Sequence, residues 1–317
     1  MDDLSSIRTV TWCLPRTGSH NLMRRLLNTY GDQLIAPGNL QEMFPDYHPL
    51  VGKSEHHEHT SQDVENGGAA FAIGKTWYKD GNVWRNVHKE NWVYQEEMEH
   101  RLTLIERNQI QGPLVGKHIS WWNRFLEDPL RGRYNNYTQR VHQAVASISD
   151  RAIVLWRQDA EQMIASQELL SWGFTASRGS IANEIPSHGD VIIRGQPADR
   201  RFDIFEYQAN NFIETFMQGL EYLDRSRTVM ISTEELDSTQ DITWPDGFRM
   251  KLSSRGADKH RNTYTIKQGS ESVQSRPLNI IEQYTDHAQR LRRWASDIEA
   301  RYDWSQLRDS LGFSRGW

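Results

Sequence analysis

Five consecutive apolar residues, Ala152-Ile153-Val154-Leu155-Trp156, run directly into Arg157, and a helical pattern opens two residues later at Asp159. A strand with one face in water alternates apolar and polar side chains, so an unbroken apolar run predicts a strand buried on both faces. Such strands belong to parallel sheets, whose neighbours are joined by helical crossovers rather than tight hairpins. Arg157 then falls at the carboxyl edge of the sheet, with Asp159 as N-cap of the helix that follows.

The same strand, loop, helix order occurs near the start of the chain. The β-leaning run 10–14 enters Pro15-Arg16-Thr17-Gly18-Ser19, and Leu22, Met23, Leu26 and Leu27 then recur at helical spacing. A turn of this kind aims successive backbone N–H groups, and the positive end of the new helix, at one point, which suits a cluster of anionic oxygens. Arg16 adds a charge there, and Thr17 and Ser19 add hydroxyls.

Strands are expected at 10–14, 34–36, 114–116, 153–156 and 229–232. Between them lie helical patterns at 92–110, 137–149, 159–172 and 205–223, and a closing helix covers 287–302. Alternation of this sort calls for an α/β fold with a mainly parallel central sheet covered by helices on both faces. The apolar face of 205–223, which includes Phe212, Ile213, Phe216, Met217, Leu220 and Leu223, reads as core. Lys117 and His118 fall where the strand at 114–116 passes into a loop, placed for either to face a cleft.

Two segments interrupt the pattern. Residues 46–91 form a polar and aromatic insertion whose His56, His57, Glu58 and His59 lack a metal-ligand spacing, so a mobile loop is expected and no metal site. Trp77, Tyr78, Trp84 and Trp92, interleaved with Lys and Arg, read as peripheral packing ahead of a carbohydrate-contacting surface. Residues 173–199 are Gly-, Ser- and Pro-rich, and a loop of that length is expected to act as a lid or in acceptor recognition.

Charge narrows the ligand. The 317 residues carry 37 Lys and Arg against 42 Asp and Glu, a net charge of -5. That excludes a general nucleic-acid or membrane-surface binder, so any anion site must be local. The one cysteine, Cys13, forms no intrachain disulfide and reads as a small buried apolar residue. An acidic start and the lack of a membrane-length apolar run point to a cytoplasmic protein without integral membrane contact. The oligomeric state is open, a homo-oligomer included.

Two of the expected strands therefore deliver loops with phosphate-binding chemistry, and a ligand with two separated anionic ends would suit them. One end would meet residues 15–19, the other Arg157 and Ser166. Here the chain resembles a known family. Pro15-Arg16-Thr17-Gly18-Ser19 is similar to the 5′-phosphosulfate loop of sulfotransferases that use 3′-phosphoadenosine-5′-phosphosulfate (PAPS), and Arg157 and Ser166 are similar to the pair that holds the donor's 3′-phosphate. The nearest likeness is to the trehalose 2-sulfotransferase-type branch. Its Gly-x-Pro-x-Glu element resembles Gly38-Asn39-Leu40-Gln41-Glu42, with Leu40 in place of Pro, and its Gly-x-Lys segment resembles Gly116-Lys117-His118 preceded by Val115.

The resemblance implies a single sulfotransferase-like domain over residues 1–317, with a P-loop-like three-layer fold. It implies PAPS as donor, adenosine 3′,5′-bisphosphate as product, no metal, and a hydroxyl of a small-molecule or glycan acceptor. Donor contacts are expected from Pro15, Arg16, Thr17, Gly18, Ser19, His20, Asn21, Arg157, Ser166, Arg255 and Gly256. Glu42 falls on the family's catalytic base, Arg16 would stabilise charge, and His20 and His118 are alternative bases. Two other readings stay open. One is a P-loop kinase or nucleotide-binding ATPase with Asp159 on Mg²⁺, although the first loop lacks the Gly-x-x-x-x-Gly-Lys-Ser/Thr spacing. The other is a non-catalytic glycan-binding protein on the same fold.

Overall fold

A computed structural model describes residues 7–14, 17–30, 59–60, 77–80, 83–86, 114–119, 131–171, 192–193, 196–197, 206, 210, 213–254, 264–268, 271–284 and 287–316. The first half contains β1 (Arg8–Cys13), α1 (Ser19–Tyr30), β2 (His59–Thr60), β3 (Trp77–Asp80), β4 (Val83–Asn86), β5 (Leu114–Ile119) and α2 (Arg131–Ile148). Next come β6 (Arg151–Trp156), α3 (Ala160–Ser171), β7 (Ile192–Ile193) and β8 (Gln196–Pro197), then a helical stretch at 213–220, β9 (Thr228–Ser232) and α4 (Thr233–Leu236). The last part holds β10 (Asp241–Thr243), β11 (Arg249–Lys251), β12 (Tyr264–Gln268), β13 (Glu271–Ser275), α5 (Pro277–Tyr284), α6 (Ala288–Arg301) and α7 (Trp304–Leu311).

The central sheet has the order β5-β1-β6-β9, and every pairing in it is parallel. Cys13 pairs with Ile119 on one side and Leu155 on the other, and Trp156 pairs with Ser232. The strands thus end at nearly the same level, and Leu14, Arg157 and Thr233, which follow β1, β6 and β9, lie along one edge. All five residues of β9 and the last five of β6 are buried, as the apolar runs require.

Register puts Trp12, His118, Val154 and Met230 in one row across the sheet, and therefore on one face. Trp12 packs there against His142 of α2, and Trp156 stacks on Phe216 at 6.1 Å between ring centroids. Gly219 closes this layer. A Cβ at Gly219 would stand 2.8 Å from His142 Nδ1 and 3.0 Å from Trp12 Cζ3, nearer than atoms pack. Gly219→Ala is therefore expected to lower stability by about 1–3 kcal/mol, although Ala is the better helix former. Urea unfolding checks this, and a variant as stable as the parent would show that His142 can step aside.

On the other face Thr9 Oγ1 donates to Met250 Sδ of β11 at 3.6 Å. The open edge of β9 is covered by the chain's own end, since Met230 N–H donates to the Ser314 carbonyl at 2.8 Å. Covering an edge in this way removes a template for pairing with other chains.

The structure extends the expected elements in several places. β5 continues through His118 and Ile119, so Lys117 and His118 are strand residues paired with Thr11 and Trp12 and do not lie at a strand-to-loop transition. His59 pairs with Trp84 in a small antiparallel sheet of order β2-β4-β3, so part of the segment expected as a loop is strand. The hairpins β10-β11 and β12-β13 and the helices α5 and α7 were not expected. Asp159 caps α3 as anticipated, its Oδ1 accepting the Gln162 N–H at 2.9 Å. The strand at 34–36, the helix at 92–110 and most of 173–199 lie outside the described residues. No helix among the described residues is long and apolar enough to cross a membrane.

Candidate anion site at the carboxyl edge of the sheet

After β1 the next described strand of this sheet is β5, on one side, whereas after β6 it is β9, on the other. Among the described strands, β1 and β6 are therefore neighbours whose successors in the sheet lie on opposite sides. In open α/β sheets, ligands bind in the crevice at the carboxyl ends of such a pair.

The loop after β1 forms one wall. Gly18 adopts φ 79°, a conformation that favours glycine, and its carbonyl accepts the N–H groups of Asn21 at 2.9 Å and Leu22 at 3.3 Å. The first N–H groups of α1, at Ser19 and His20, have no intrahelical acceptor and project from the helix start. Ser19 is buried at the first helical position. Thr17 is fully buried and donates its hydroxyl proton to the Leu14 carbonyl at 2.8 Å, so that proton shapes the turn instead of facing a ligand. Asn21 donates its amide to Asp237 Oδ1 at 3.3 Å and so ties the helix start to the segment after β9.

The loop after β6 forms the other wall. Arg157 is only 6% exposed directly beyond the strand, and Ser166 is 4% exposed on α3. The backbone N–H groups beside Arg157 are taken up by carboxylates: those of Gln158 and Asp159 by Glu234 at 3.1 and 3.2 Å, and that of Ala160 by Glu299 at 3.2 Å. The start of α3 is thereby neutralised from within, and an anion here is left to side chains. A buried guanidinium suits that task, because its planar fork matches phosphate or sulfate oxygens two at a time. Thr233, the first residue of α4, joins the walls: its hydroxyl donates to the Thr17 carbonyl at 2.6 Å and the Trp156 carbonyl at 3.0 Å.

Of the sequence-predicted residues, the structure brings Thr17, Gly18, Ser19 and Asn21 to the same sheet edge as Arg157. Pro15, Arg16, Glu42, Arg255 and Gly256, and the side chain of His20, lie outside the described residues. Among those described, no group of three or more His, Cys, Asp or Glu side chains is gathered to hold a metal ion. Asp159, the residue assigned to Mg²⁺ in the kinase reading, is engaged as a helix cap.

His118 has a different setting from that of an acceptor base. It is 1% exposed, its Nε2 lies 3.0 Å from His142 Nδ1, and Trp12 meets its ring edge-on at 4.6 Å. Burial, and secondarily the neighbouring His142, push its pKa well below the ordinary value. Burial likewise pushes His142 down to about 4, against a smaller opposing effect of the Thr215 carbonyl. An unfolded His titrates near 6.5, so between that pH and about 4 the unfolded chain binds more protons than the fold. The stabilisation is full above about pH 6.5 and is lost as pH falls through 4, by on the order of 3 kcal/mol for His142. Urea midpoints measured from pH 7 to 4 are expected to show this fall, and a level profile would contradict it.

Sequence reasoning missed Arg25, which is 1% exposed on α1. Its Nε donates to the Ser253 carbonyl at 2.8 Å, and its two terminal nitrogens donate to the carbonyls of Leu236 and Thr239. Desolvation lowers its pKa, and Asp237 opposes that. The signal was present: Arg25 lies three residues after Leu22, on the apolar stripe of α1, where a charge needs buried partners.

Fold and site together define an α/β protein with a parallel sheet, at whose carboxyl edge the loops after β1 and β6 are joined through Thr233. Compared with models of protein families, with curated proteins and with solved structures, the chain matches none.

Proposed function

We propose that the chain is a cytoplasmic PAPS-dependent sulfotransferase with a P-loop-like three-layer fold, acting on a hydroxyl of a small-molecule or glycan acceptor. The observation that carries this reading is the pairing of the Gly18 turn at the start of α1 with the buried Arg157 on adjacent parallel strands. A donor nucleotide with a 5′-phosphosulfate and a 3′-phosphate has anionic groups at both ends to meet them. In this reading the first loop, with Arg16, holds the 5′ end, and Arg157 with Ser166 holds the 3′-phosphate.

Sulfuryl transfer, like phosphoryl transfer, is an in-line displacement in which the protein positions reactants and stabilises charge. The acceptor oxygen forms a bond to sulfur while the bridging bond from sulfur to the 5′-phosphate oxygen breaks. The electron pair leaves on that oxygen, facing the N–H groups of Ser19 and His20, and the acceptor proton passes to Glu42. A well-aimed donor at a developing oxyanion contributes about 2.7–4 kcal/mol. Glu42→Gln is expected to abolish transfer while leaving nucleotide binding nearly intact; retained turnover would move the base elsewhere. Calorimetry with adenosine 3′,5′-bisphosphate, with ATP plus Mg²⁺ and with free sugars tests the class. Preference for the bisphosphate is expected, and preference for ATP would replace this reading with the kinase or ATPase one.

A further inference from the structure

We infer that Thr233 is a positioning residue that sets the span between the two walls of the crevice, an inference that rests on the two-ended nucleotide reading. The ladder between β1 and β6 ends at the pair Cys13 and Leu155. Beyond it the two loops are joined through Thr233, whose one hydroxyl proton is shared between the Thr17 and Trp156 carbonyls at 2.6 and 3.0 Å. Trp156 immediately precedes Arg157, and Thr17 immediately precedes Gly18, so the hydroxyl ties down the residue before each binding element.

Its own position is held from several directions. Ser232 and Glu235 form a capping box around it, with the Glu235 N–H on Ser232 Oγ at 3.1 Å and the Ser232 N–H on Glu235 Oε2 at 2.9 Å. The next residue, Glu234, grips the Gln158 and Asp159 N–H groups, and Asp237 takes the Asn21 amide. The carbonyls of Leu236 and Thr239 take Arg25. Residues 233–239 therefore hold both walls at once, and Thr233, 7% exposed, is where the walls meet. A ligand that touches both walls feels the span; a ligand that touches one does not.

Thr233→Val keeps the shape and removes the hydroxyl, and Thr233→Ser keeps the hydroxyl. The valine variant is expected to bind adenosine 3′,5′-bisphosphate about tenfold more weakly, the loss of one buried hydrogen bond's worth of span. Its binding of adenosine 5′-monophosphate is expected to change by less than about twofold, and serine is expected to restore the parent values. Equal weakening of both ligands, or a serine variant that behaves like valine, would overturn the role. A ligand-free measurement separates this from the nucleotide reading. Amide hydrogen exchange at 17–20 and at 156–159 is expected to rise together in Thr233→Val, and only at 158–159 in Glu234→Ala. If the parent protein does not bind the bisphosphate, the sulfotransferase reading falls and exchange alone decides the clamp. Unchanged exchange at either loop would overturn it. If the valine variant does not fold, Thr233→Ala and Glu234→Ala carry the same comparison.

Discussion

Arg157→Ala is expected to weaken binding of adenosine 3′,5′-bisphosphate by roughly 10- to 150-fold. That range is the about 1.5–3 kcal/mol of a hydrogen bond to a charged group. An analogue without the 3′-phosphate is expected to lose little. The contrast follows from placement: Arg157 is buried immediately beyond β6, beside backbone N–H groups that Glu234 already occupies, so in the two-ended reading a 3′-phosphate on this side meets its guanidinium. Titration calorimetry of both ligands against parent and variant is decisive, and an equal loss for the two would remove Arg157 from the 3′-phosphate site.

The second large effect concerns stability. Arg25→Leu is expected to cost about 3–5 kcal/mol, since three carbonyls lose one charged donor, each at about 1–3 kcal/mol. The carbonyls of Leu236, Thr239 and Ser253 would remain buried while losing their donor. Arg25→Lys is expected to recover only part of this, since an ammonium on a flexible stem does not span three carbonyls as a planar guanidinium does. Equilibrium urea unfolding measures both, and a loss below about 1 kcal/mol would show that water replaces the side chain. Because Leu236 and Thr239 belong to the segment that braces the crevice, the leucine variant is also expected to bind nucleotide less well.

How far the fold was legible depended on whether a segment's own neighbours determine its environment. β6 and β9 were readable because a run of buried apolar residues has few homes other than the interior of a parallel sheet. Asp159 was readable as a cap because capping acts within one turn. The three-residue strands β10 and β11 were not, since three residues show no period. His118 was misread for a related reason: whether a polar residue after a short apolar run is still strand depends on the partner strand, here Trp12 more than a hundred positions away.

By itself the sequence determined the strand, loop, helix units, the parallel sheet they imply and the candidate anion-binding residues at its carboxyl edge, because each is a local pattern of apolar period, turn residues and charge. Only the tertiary structure decided what several of those side chains are bonded to. It committed the Asn21 amide to Asp237 and His118 to a buried pair, and it placed Thr233 between two loops more than a hundred residues apart in the chain. The physical reason is that a hydrogen-bonding group is defined by its partner. Partners separated by tens to hundreds of residues are chosen by strand order and register, which no local stretch encodes.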